Sequence, residues 1–70
     1  MAVPDDPDRL LTREQAAEAL TEAGFPTSVS TLSAVIRKGG PPYKIYGRVA
    51  LYRWEDLLGW AKSKLREPSH

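Results

Sequence analysis

Gly39-Gly40-Pro41-Pro42 is the strongest constraint in this 70-residue chain. Two glycines end a helix readily, and two prolines forbid one and force the chain into an extended exit. The sequence therefore divides into a helical stretch before residue 39 and a different kind of structure after 42.

Before the break, two helices are expected. Thr12 followed three residues later by Gln15 reads as a capping box, with Leu11 placed to staple onto Ala16. Ala16, Ala17, Leu20 and Ala23 make a narrow apolar stripe, Glu14, Glu18 and Glu22 lie on the opposite face, and Gly24 is the stop signal. The first helix is placed at about residues 13–23. Phe25-Pro26-Thr27 is a connection in which Phe25 is a core candidate. Ser28 caps a second helix at about 29–38, with Val29, Leu32, Val35 and Ile36 spaced as one buried face.

After the break, Tyr43-Lys44-Ile45-Tyr46 and Val49-Ala50-Leu51-Tyr52 read as the strands of a β-hairpin whose tip lies at Tyr46-Gly47-Arg48. Such a hairpin must pack on the helices to be stable. Trp54 opens a third helix, with Glu55 and Asp56 in the dipole-favoured first turn. Leu57, Trp60, Ala61 and Lys64 share a face, which Leu58 and Leu65 widen. Trp60 is expected in the core and Trp54 is expected to be partly exposed. Residues 1–9, with two prolines and three aspartates, read as a disordered acidic lead-in, and 67–70 as a frayed tail.

The formal charge of +1 conceals an uneven distribution. Residues 1–23 carry a net −4 and residues 54–70 a net zero, while residues 24–53 hold five cations and no carboxylate. Those cations are Arg37, Lys38, Lys44, Arg48 and Arg53. A one-sided basic segment is the footprint of a polyanion-binding surface, and it is equally compatible with solvated surface charge. The composition argues against an enzyme and against a metal or cofactor site. Cysteine is absent, the only histidine is the terminal His70, and no glycine cluster forms a phosphate loop. No apolar run approaches the ~18 residues of a membrane span, so a cytoplasmic protein is expected.

The ordered set Leu11-Thr12, Glu14, Ala16-Ala17, Leu20, Ser30-Thr31-Leu32, Gly39, Pro42-Tyr43, Gly47-Arg48, Tyr52-Arg53, Asp56-Leu57 and Trp60 resembles the small winged helix-turn-helix proteins of the excisionase type. These are relatives of the MerR-like DNA-binding domain found in phages and mobile elements. The resemblance spans about residues 10–62. It implies a mainly α fold with a small β-hairpin, in the order helix, helix, strand, strand, helix, over a domain at 10–66. One departure is the connection Thr21–Thr27, longer than the usual turn, which leaves the relative placement of the first two helices open.

The resemblance also implies a site. The second helix is the recognition helix, so Ser30, Thr31, Ser33, Ala34, Arg37 and Lys38 face the major groove or its edges. The hairpin is the wing, so Tyr46, Gly47 and Arg48 reach phosphates or the neighbouring minor groove, and Arg53 adds a phosphate contact. Lys38, Lys44, Arg48 and Arg53 are the phosphate candidates; Arg37 is the best candidate for guanine O6 and N7, although its place at the C-terminal end of the second helix suits a phosphate contact at least as well. Thr31 fits a capping role equally well. With about four such contacts, the log–log salt dependence of binding has a slope of roughly −4. One module buries only ~600–1,000 Å² on DNA, so a homodimer, adjacent copies on repeated sites, or an integrase or other recombination protein is an expected partner. The function implied is that of a sequence-specific double-stranded DNA-binding protein, either a recombination directionality factor or a small transcriptional regulator of a mobile element or prophage. The alternative is a protein-interaction module on the same scaffold that no longer binds DNA, which would expose an apolar patch around Trp54, Leu58 and Leu65.

Overall fold

A computed structural model describes residues 3–36 and 38–65. Its elements are β1 (Leu10–Leu11), α1 (Arg13–Glu22), α2 (Val29–Val35), β2 (Lys44–Tyr46), β3 (Val49–Arg53) and α3 (Trp54–Ser63). The strands form one antiparallel sheet in the order β1-β3-β2. The described residues thus form a small α/β domain of three helices and three strands.

Local chemistry sets the helix ends. Gln15 N–H donates to the Thr12 hydroxyl at 3.2 Å, and Gln15 Oε1 accepts from Thr12 N–H at 3.0 Å, which completes the capping box. At the other end Gly24 turns to φ 100°. Phe25 N–H then reaches Leu20 O at 2.8 Å and Gly24 N–H reaches Thr21 O at 3.1 Å, so the terminal carbonyls of α1 are satisfied in a Schellman arrangement. The long connection is organised around Thr21. Its hydroxyl lies 2.9 Å from Ala17 O and 3.0 Å from Thr27 O, and it accepts Thr27 N–H at 3.2 Å. Ser28 caps α2 by accepting Thr31 N–H at 3.1 Å.

α2 is shorter than expected. It ends at Val35, because Lys38 N–H and Gly40 N–H both donate to Val35 O, each at 2.9 Å. Gly40 is needed there: a Cβ would sit 2.6 Å from Val35 Cγ2 and 2.7 Å from Val35 O. Only Leu32 of α2 is fully buried, while Val29 is exposed and Val35 and Ile36 are half-buried. A helix of two turns that packs chiefly on α1 has room for one inward residue. In the hairpin, Tyr46 pairs with Val49 across Gly47-Arg48. Gly47 has φ 65°, and no non-glycine residue among those described has positive φ, the pattern of a type II′ turn.

Three expectations need correcting. The first is the disorder expected over residues 1–9, of which the structure describes 3–9. β3 runs into α3 without a loop, and Arg53 at the N-cap position gives no side-chain cap. The orphan N–H groups of the first turn instead donate to the lead-in, Trp54 to Arg9 O and Glu55 to Pro7 O, each at 2.9 Å. Leu10-Leu11 continues this return as β1, paired with Arg53 and Tyr52 of β3.

The second concerns the tryptophans, whose roles are exchanged. Trp54 is 4% exposed and belongs to the core with Leu11, Ala16, Ala19, Leu20, Leu32, Tyr52 and Leu57. Trp60 is half-buried at the core's edge, and the Lys64 ammonium lies 5.8 Å from its ring. The reason is the β3–α3 junction. Strand alternation carries Ala50 and Tyr52 inward and delivers Trp54 to the same side, after which Leu57 and Ala61 follow at helical spacing.

The third concerns the apolar patch of the interaction alternative. Trp54 is buried and Leu58 packs on the core; Leu65 alone of that trio is exposed, at 66%. No helix among the described residues is long and apolar enough to cross a membrane.

Candidate functional site

α2 leaves most of its surface to solvent. Ser30, Thr31, Ser33 and Ala34 are all exposed. With Leu32 pointing inward, helical geometry puts Ser30 and Ala34 at the centre of the outward face, with Ser33 on one flank and Thr31 on the other. The flanks differ. The Thr31 hydroxyl is 3.0 Å from the capping Ser28 hydroxyl, and Thr31 borders an apolar groove between α2 and α3. Ser33 faces the opposite way, where its hydroxyl accepts from Arg13 Nη1 at 3.4 Å.

Arg13 ties α2 to the sheet. Its Nε donates to the Tyr52 hydroxyl at 3.3 Å, and Tyr52 is itself buried, with Tyr43 packed 5.9 Å away ring to ring. Arg13 also lines a cleft of about 410 Å³ with Glu14, Tyr43, Ile45, Arg48, Val49 and Ala50. The flank of α2 that carries Ser33, the start of α1 and the hairpin tip therefore border one region. Among the described residues neither Arg13 nor Arg48 is in an ion pair, although Glu14 borders the same cleft.

The remaining cations of the hairpin lie elsewhere. Register pairs Lys44 with Leu51 and Ile45 with Ala50, so Lys44, Leu51 and Arg53 project from the face opposite Ile45 and Ala50. There they line a second cleft with Leu10, Pro42, Tyr43 and Asp56. Arg53 is engaged on that face: its Nε donates to Asp8 Oδ1 at 2.8 Å, and its Nη1 lies 3.1 Å from Glu55 and 3.6 Å from Asp56. The hydrogen bond with Asp8, above all, raises the Arg53 pKa above its ordinary value; Glu55 adds to this and desolvation opposes it. The offered phosphate contact at Arg53 is thus already held by carboxylates, an outcome hidden while the lead-in was read as disordered.

Of the sequence-derived candidates, Ser30, Ser33, Ala34 and Arg48 lie on or beside the region joined by Arg13. Lys44 and Arg53 belong to the other hairpin face. Tyr46, 77% exposed, sits beside the tip on the Lys44 side by alternation. Lys38 is exposed in the turn after α2. Arg37, the base-reading candidate, lies outside the described residues, as do residues 67–70. Arg13 carries no such signal in the sequence: it stands in the acidic third, and its position as the first residue after a capping threonine gives no hint of Ser33 or Tyr52, both far along the chain.

Comparison with protein-family models, with curated proteins and with solved structures finds no match for this chain.

Proposed function

We propose that this protein binds double-stranded DNA as a winged helix-turn-helix domain, with the outward face of α2 in the major groove and the β2–β3 hairpin as the wing. One observation carries the reading: Arg13 joins the Ser33 flank of α2 to the hairpin and shares a cleft with Arg48, so two guanidinium groups without an ion pair among the described residues stand beside an exposed face of small side chains. Such a face lets a helix approach base edges closely, while the cations supply the sequence-independent affinity. An excisionase-like directionality factor or a small regulator of a mobile element is the role proposed for it.

The test is binding to a labelled duplex across a salt series. With Lys38 on one phosphate and Arg13 and Arg48 together on another, the log–log slope is roughly −2, from about 0.9 counterions released per phosphate neutralised. Binding that is flat in salt, or absent at low salt, contradicts the proposal.

A second reading rests on the apolar groove of about 350 Å³ bordered by Phe25, Pro26, Val35, Trp60 and Leu65; the Trp60 indole N–H is buried and has no partner among the described residues. A module that bound protein through this groove would lose its partner on Leu65→Asp and keep any DNA affinity.

A further inference from the structure

We infer that Arg13 and Arg48 together hold a single DNA backbone phosphate in the cleft between the start of α1 and the hairpin tip. The inference rests on the DNA-binding reading and adds to it a residue from the acidic part of the sequence. Arg13 is held by two neutral acceptors, the Tyr52 and Ser33 hydroxyls. These orient a guanidinium without answering its charge, and of its five N–H donors they occupy two. The contrast with Arg53, surrounded by Asp8, Glu55 and Asp56, shows what a guanidinium with a structural assignment looks like in this same protein. Arg48 borders the same cleft from the residue after Gly47, whose positive φ sets the direction of the tip. A planar fork approaching from each side matches the oxygens of one phosphate, which is why arginine suits such a clamp better than lysine. Glu14 lines the same cleft and its charge opposes any anion there, so both guanidinium groups are needed to outweigh it.

Duplex binding by wild type, Arg13→Ala, Arg48→Ala and the double variant, measured from 50 to 200 mM salt, tests this. Arg13→Ala is expected to weaken binding about tenfold on every sequence and to bring the salt slope closer to zero by about one. Arg13→Gln, which keeps a donor near the Nε position for Tyr52 but no charge, is expected to do the same, with unchanged thermal unfolding showing that the loss is not one of folding. Because one phosphate is lost only once, the double variant should weaken binding by less than the product of the two single effects. If wild type binds with a steep slope and Arg13→Gln leaves slope and affinity unchanged, the inference is overturned while the DNA reading stands. Multiplicative single effects overturn the shared phosphate. If wild type binds no duplex, the DNA reading itself fails and the inference goes with it.

Discussion

The two faces of the β2–β3 hairpin treat their cations in opposite ways. On one, Arg53 meets Asp8, Glu55 and Asp56, and its charge fastens the N-terminal segment over the start of α3. On the other, Arg13 meets the Tyr52 and Ser33 hydroxyls, and Arg48 lines the same cleft with Arg13, Tyr43 and Glu14. A count of charge along the sequence treats Arg48 and Arg53 alike and places Arg13 in an acidic region. Spatially, the first two have different tasks and the third belongs with Arg48. The lesson is that a basic segment becomes a candidate surface only after its internally paired members are removed, and that a cation from a distant segment can replace them.

The comparison can be broken most severely at its hinge. Trp54 continues the alternation that sends Ala50 and Tyr52 to one face and Leu51 and Arg53 to the other. Trp54→Ala should cost ~3–5 kcal/mol in denaturant unfolding, and Trp60→Ala roughly half as much, since its ring is only half-buried. Equal costs would mean that the core is centred elsewhere. Next in size is Gly40→Ala, where the new methyl meets Val35. An overpacking cost of about 1–3 kcal/mol is expected, with α2 displaced relative to the hairpin; unchanged stability would show that the close approach is not required.

How much of this was readable in advance follows the distance over which each interaction acts. The capping box at Thr12 and Gln15, the stop at Gly24, the cap at Ser28 and the turn at Gly47 each involve a few consecutive residues, and the chain states them directly. β1 is two residues long and pairs with residues more than forty positions away, so it offers no alternation to detect. The lead-in looked disordered because its prolines and aspartates cannot build a core. What orders it is the unmet N–H groups of a distant helix. The burial of Trp54 is hidden from a reading of it as a helix start, because the strand period of β3 also ends there. For the candidate site, the exposure of Ser30, Ser33 and Ala34 was legible from α2 alone, while the split between Arg48 and Arg53 required the register of β2 against β3.

Smaller effects sharpen the contrast between the faces. Arg48→Ala should weaken duplex binding about tenfold with melting behaviour unchanged, the signature of a contact to a partner. Arg53→Ala should do the reverse. Duplex affinity should stay within about twofold, while hydrogen exchange at the Trp54 and Glu55 amides accelerates as residues 5–9 loosen. A large affinity loss at Arg53 would return it to the DNA surface. Its pH behaviour follows from the raised pKa: the stabilisation from a cation held charged is complete below its unfolded pKa and is lost only as pH rises through the still higher folded value. The alkaline limb of a pH–stability curve, not the neutral range, is where Arg53 deprotonation would register. Least affected of all should be Lys44→Ala, with at most a twofold change in duplex binding if only the opposite face is engaged.

The most direct measurement is residue-by-residue mapping of the bound face by NMR, titrating the labelled protein with a short duplex. The account predicts shifts concentrated at Arg13, Ser30, Ser33, Ala34, Gly47 and Arg48, with Asp8, Lys44, Arg53 and Leu65 little changed. Shifts confined to Lys44 and Arg53, or to the groove beside Trp60 and Leu65, would contradict it.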